Sequence, residues 1–162
     1  ILKGTLFFIG LFVLSRLVPH PPNFTPLIAA VIFLPFISKD KLGMVLPISV
    51  MLISDLIIGF HGQMFWVYGG FTLISLLSYI LYLPVFSRVL TLAVLNPTLF
   101  FLVTNFGVWL GSPVYDQTAV GLFSSFAMGL PFFANSLMAS LLFSLGFFLI
   151  YKAYGSQKEM LN

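Results

Sequence analysis

The sequence predicts an all-α integral membrane protein: a bundle of about six transmembrane helices with a short extra helix in the connection between the fifth and sixth. Three observations predict it. Hydrophobic residues fill 60% of the 162 positions and charged residues 7%, with a mean hydropathy of +1.11, too little polar surface to coat a water-soluble globule. The apolar residues form stretches close to the roughly 20 residues that a hydrocarbon core about 30 Å thick asks of a helix. Prolines, glycines and the few charges gather between those stretches, where chain turns belong.

The first span is expected over residues 2–18 and ends at Pro19, Pro21 and Pro22, which remove donors and force extended backbone. The second covers 26–38, with Pro26 suited to a first turn and Lys39, Asp40 and Lys41 closing it. At about 1.5 Å per residue it reaches only some 20 Å, so it starts earlier, thins the bilayer or dips in and out. The third, fourth and fifth cover 42–60, 65–86 and 88–110, with a kink expected at Pro97. Residues 111–129 carry Ser112, Tyr115, Asp116, Gln117, Ser124 and Ser125 and read as a loop plus a short interfacial or re-entrant helix. The sixth span is expected over 131–154, opening at Pro131. No repeat, low-complexity tract or linker divides residues 1–162, which read as a single transmembrane domain. The chain opens on Ile1 rather than Met, which leaves a preceding segment open.

Charge orients the bundle. If all six segments cross, one side receives Lys3, Lys39, Lys41, Arg88, Lys152 and Lys158 and the other only Arg16, so the first side is cytoplasmic. If the short second segment fails to cross, Lys3 becomes the outsider and Arg16 joins the majority. Either way the 3–4 and 5–6 connections face away from the cytoplasm, in a bacterial inner membrane or an organelle membrane. The pI near 9.3 reflects this orientation; no basic run points to nucleic acid.

The outward side is also where unusual residues gather, and a polar group inside a span is costly unless it pairs or lines a cavity. Candidate substrate-binding residues are Arg16, His20, Asn23, Asp55, His61, Trp66, Asn105, Trp109 and Asn135. Each has a plainer reading. Asp55 pairs structurally with Arg16 or a helix N-terminus, or meets a ligand. Arg16 snorkels to the interface or binds. Asn105 bonds a neighbouring helix or the substrate. Trp66 and Trp109, with Tyr68 and Tyr115, sit where an aromatic belt is expected. Ser136, Ser140 and Ser144, spaced by four, share a helix face that suits ordinary packing or a partner.

Enzyme chemistry finds no support. There is no Ser with a His or Lys base, no aspartate pair and no His-Glu-x-x-His motif, so no catalytic residue is assigned. His20 and His61 lack a third ligand and there is no cysteine, so neither a metal site nor a cofactor is expected. The inward half carries no string of ionisable groups, which argues against a self-powered pump.

Four separated motifs carry a resemblance: Ser15-Arg16-Leu17-Val18-Pro19-His20-Pro21-Pro22-Asn23-Phe24-Thr25-Pro26, Ser54-Asp55-Leu56-Ile57-Ile58-Gly59-Phe60-His61, Thr104-Asn105-Phe106-Gly107-Val108-Trp109 and Pro131-Phe132-Phe133-Ala134-Asn135. Together they resemble a family of uncharacterised six-helix membrane proteins described as transport proteins. That family is similar in turn to the substrate-binding S components of energy-coupling-factor vitamin transporters. The resemblance implies six crossings, a ligand near the outer face, and docking on a transmembrane coupling subunit driven by ATPases. It places Arg16, His20, Asn23, Asp55, His61, Asn105, Trp109 and Asn135 on the ligand side. The first helix departs from it, with bulky residues where S components often present an Ala-x-x-x-Ala face.

Two functions are therefore expected. The preferred one is a membrane solute-binding protein of S-component type, taking a small vitamin-like or nucleobase-like compound from the outer side, with energy supplied by partners. The alternative is a non-catalytic structural subunit of a larger respiratory or photosynthetic membrane complex. An ion channel ranks third, because no ring of charges or glycine-rich filter is present.

Overall fold

The computed structural model describes residues 2–37 and 45–160, and side chains over 9–33 and 45–153. Six helices follow one another: α1 (Leu2–Leu17), α2 (Leu27–Ile37), α3 (Leu46–Ile58), α4 (Met64–Leu81), α5 (Phe86–Gly111) and α6 (Ala119–Met160). No strand occurs among the described residues. The expected helix ends at Ser38 and Leu42, and the charged connection Lys39, Asp40 and Lys41, lie outside them.

Local chemistry sets the boundaries. After α1 the prolines force a turn in which the Phe24 amide bonds the Pro21 carbonyl at 2.9 Å, and Asn23 takes a left-handed φ of 62°. Proline followed by Asn with positive φ is the combination a type II turn demands. Pro26 then accepts the first helical bond of α2, from Ala30 at 2.8 Å. Pro47 lies in the first turn of α3, and Gly59, with φ 109°, ends it.

From α3 to α6 the helices pack in chain order, while α1 and α2 pack mainly on helices that do not adjoin them in the chain. α1 lies on α3, α3 on α4, α4 on α5 and α5 on α6, while α2 contacts α4, α5 and α6. Every side chain of α2 from Leu27 to Phe33 is buried, which is the fate of a helix apolar on all sides. Its first turns join Phe12, Val13, Val50, Met51, Phe71 and Ile74. Further along, Ile32 and Phe33 meet Val89, Leu92, Ala93 and Phe148. Across the same interior the Asn96 amide donates to Ser78 Oγ at 2.7 Å, joining α5 to α4.

Two expectations need correction. Three helices among the described residues, not six, are long and apolar enough to cross a membrane: Met64–Leu81, Phe86–Gly111 and Ala119–Ala153. α3 is apolar but only 13 residues long, about 20 Å at 1.5 Å per residue, because Pro47 opens it and Gly59 closes it. The second correction concerns the 5–6 connection, which holds no separate short helix. α6 starts at Ala119 and runs through Pro131. The serines expected to break it do not, because Ser124 Oγ donates to the Val120 carbonyl at 2.8 Å and Ser125 Oγ to Leu122 at 2.8 Å, hiding their polarity inside the helix.

The surface is compatible with a lipid surrounding. Large apolar side chains point outward along every helix with described side chains outside α2, among them Phe65 at 78% and Ile57 at 64% exposure, a coverage that water-soluble monomers avoid. Exposed Thr72 and Thr91 and half-buried Thr98 turn their hydroxyls onto carbonyls four residues back at 2.9, 2.9 and 2.7 Å, leaving little polarity outside.

Thr118 caps α6: its Oγ1 accepts the Gly121 amide at 3.2 Å while its carbonyl accepts Leu122 at 3.0 Å, the geometry of an N-cap. Thr118→Ala should therefore cost about 1 kcal/mol in detergent unfolding and speed amide exchange over residues 119–122. A silent substitution would return the helix start to Pro131.

Candidate functional site

Three helix ends meet at a buried charge. Asp55, on the last turn of α3 and 1% exposed, holds Arg16 of α1 through a 3.0 Å contact between Oδ1 and Nη1. Its other oxygen accepts the Tyr68 hydroxyl of α4 at 2.9 Å. Arg16 Nη1 also donates to Ser54 Oγ and approaches the Met51 carbonyl at 3.4 Å, while the Ser54 hydroxyl donates to the carbonyls of Val50 and Met51 at 2.8 and 2.9 Å. A carboxylate stripped of water needs such compensation. Among the described residues, all of the Arg16 contacts are made by Nη1, with none to Nε or Nη2.

Beside this network lies a cavity of about 400 Å³. Arg16 and Met51 form one wall, the first turn of α2 (Leu27, Ile28) the floor, Phe71 and Phe100 an aromatic side, and His20, Asn23 and His61 the rim. The two phenylalanine rings pack with centroids 4.9 Å apart. His20, Asn23, Ile58 and His61 are exposed, so the cavity opens at the end of the bundle where α1 and α3 finish and α2 and α4 begin. His20 Nδ1 lies 2.8 Å from the Pro21 carbonyl. That oxygen only accepts, which assigns the proton to Nδ1 and leaves Nε2 open.

Of the nine candidate residues, Arg16, His20, Asn23 and His61 line this cavity, and Asp55 stands behind Arg16. Asn135 reaches from α6 to donate to the Pro22 carbonyl at 2.9 Å, holding the turn that presents Asn23. The remaining three sit elsewhere. Asn105 donates to Phe101 of its own helix at 2.9 Å and lies where α6 passes, so close that a Cβ on Gly129 would overlap its amide. The Trp66 indole covers Gly107, where a Cβ would collide with it, and meets Phe106 edge-on at 5.7 Å. Trp109 Nε1 donates to the Asp116 carbonyl at 2.9 Å, while Gln117 donates to the Trp109 carbonyl at 2.7 Å, fastening the α5–α6 connection.

Sequence reasoning passed over Tyr68, read as a belt aromatic, and assigned no role to Ser54. One signal could have found Tyr68: a four-residue hairpin loop after Gly59 returns α4 alongside α3 and brings the start of one beside the end of the other. Thr25, Phe71, Phe100, Thr104 and Ser136 also line the cavity, but nothing in their local sequence distinguishes them. Among the described residues no group of three or more His, Cys, Asp or Glu could hold a metal ion.

Asp55→Ala leaves the Arg16 charge with no counter-ion and should cost about 3–5 kcal/mol, read as a lower unfolding midpoint in detergent. The double variant Arg16→Met with Asp55→Leu should recover most of the loss, since an apolar pair of similar volume replaces a buried ion pair at little cost. A double variant as unstable as the single one would show that the charges themselves are required.

No curated protein matches the chain, and no solved structure does. One family does, over residues 3–161, nearly the full length that builds the bundle and its cavity. By that match the chain belongs to DUF6580, a family of unknown function.

Proposed function

We propose that the chain is a membrane solute-binding protein of S-component type that takes a small vitamin-like or nucleobase-like compound from the outer side and relies on partners for energy. The observation that carries the reading is the cavity of about 400 Å³, within the size range of small-molecule sites, lined half by apolar and aromatic side chains and half by polar ones, Arg16 among them. The S-component type itself rests on the motif resemblance. The charge count supports the orientation: the cavity end has Arg16 as its cation, whereas Arg88 and Lys152 belong to the opposite end, so the cavity opens away from the cytoplasm. In this reading all six helices sit in the bilayer, with the shorter α1, α2 and α3 accommodated by the longer three around them. A transmembrane coupling subunit with ATPases is the partner that would move the captured compound.

One observation favours the structural-subunit alternative. Asp55, Asn105, Trp109 and Asn135 all make intramolecular polar contacts, as groups that only hold a bundle together would.

Filling the cavity separates the two readings. Thr104→Phe points a ring into it, on a helix whose hydroxyl bonds only its own Phe100 and Phe101 carbonyls, at 2.8 and 3.4 Å. Solute co-purifying with the protein, read by mass spectrometry, should fall at least about tenfold in the variant, a change of about 1.4 kcal/mol, with helicity and unfolding midpoint retained. Absence of any solute from the parent, together with a stable stoichiometric complex with other membrane subunits, would reject the binding reading.

A further inference from the structure

The cavity has a sign. Its described lining includes three basic side chains, Arg16, His20 and His61, and no carboxylate. The one nearby acid, Asp55, has Oδ1 on Arg16 and Oδ2 under the Tyr68 hydroxyl, so it faces its partners and not the open space. It cancels the formal charge of Arg16 but uses only one guanidinium nitrogen, leaving the Nε and Nη2 donors for a planar acceptor. The floor points the same way. Leu27 and Ile28 belong to the first turn of α2, where amides have no acceptor within the helix and the positive end of the helix dipole lies.

We propose that the solute carried by this cavity is an organic monocarboxylate: one anionic carboxylate on an apolar, ring-sized body. This rests on the solute-binding reading above and adds the chemical class of the ligand. The carboxylate sits between Arg16 and the first turn of α2, with the rim imidazoles beside it, and the apolar body lies against Phe71, Phe100 and Val67. A single charge is the match. With Arg16 already neutralised by Asp55, the positive potential left over comes from a helix end worth about half a charge, and the rim imidazoles add hydrogen-bonding nitrogens beside it. A phosphate dianion would leave negative charge uncompensated beside aromatic walls.

The test uses the full chain in lipid nanodiscs and three probe pairs: benzoate and benzamide, phenylacetate and phenylacetamide, hexanoate and hexanamide, with phenyl phosphate as a dianion. Binding is measured by calorimetry. At least one acid should bind about tenfold or more tighter than its own amide, the gain expected of a charged hydrogen bond, and tighter than phenyl phosphate. Arg16→Lys, which keeps a cation for Asp55 but loses the fork, should reduce the acid-to-amide ratio by about threefold or more. His61→Gln, on the exposed rim, should do the same if Arg16→Lys fails to fold. Amides binding as tightly as acids, or phenyl phosphate binding tightest, would overturn the monocarboxylate assignment while leaving a binding cavity standing. If neither member of any pair binds, the solute-binding reading falls and takes this assignment with it.

Discussion

The architecture depends on where α2 begins. Pro19, Pro21, Pro22 and Pro26 keep the chain out of a helix for nine residues after α1, so the most buried helix of the bundle starts at Leu27, where Leu27 and Ile28 are already buried and line the cavity. α4, α5 and α6 continue past it. The space above a short central helix, walled by longer ones, is the cavity. Its floor is a helix N-terminus because the chain must turn there to enter the core.

A second constraint is the price of polarity in an apolar medium. This chain meets it in two ways. The hydroxyls of Thr72, Thr98, Ser124 and Ser125 return to carbonyls three or four residues back, so these residues read as polar in the sequence and behave as nearly apolar in the fold, whereas the buried hydroxyls of Ser75, Ser140 and Ser144 make no hydrogen bond among the described residues. The buried charge is handled across helices instead. Arg16, Asp55, Ser54 and Tyr68 share one network that joins α1, α3 and α4, which couples the position of the cavity's cation to the packing of three helix ends.

Legibility in the sequence followed the range of the interaction. Arg16 and Asp55 could be proposed as partners because a charged pair is almost the only way two such residues survive in apolar segments. His20, Asn23 and His61 were legible because they lie in proline- and glycine-bounded turns beside those segments. Asn105 and Trp109 look the same on paper, yet the face of α5 that carries Asn105 packs on α6, and the Trp109 indole is taken by the Asp116 carbonyl. One helical position is 100° of rotation, and composition does not contain that angle. The start of α6 was misread for a related reason: Pro131 fits both a first turn and an interior kink, and the Thr118 cap that decides between them is a single hydrogen bond.

By itself the sequence determined the apolar character, the helical class and the alternation of the chain between two ends, because these follow from summed hydrophobicity, proline placement and charge, each a property of residues taken near one another. Only the tertiary structure decided which polar residues share a space. That depends on helix rotation and on the different lengths of helices lying side by side, quantities set by packing between segments far apart in the chain.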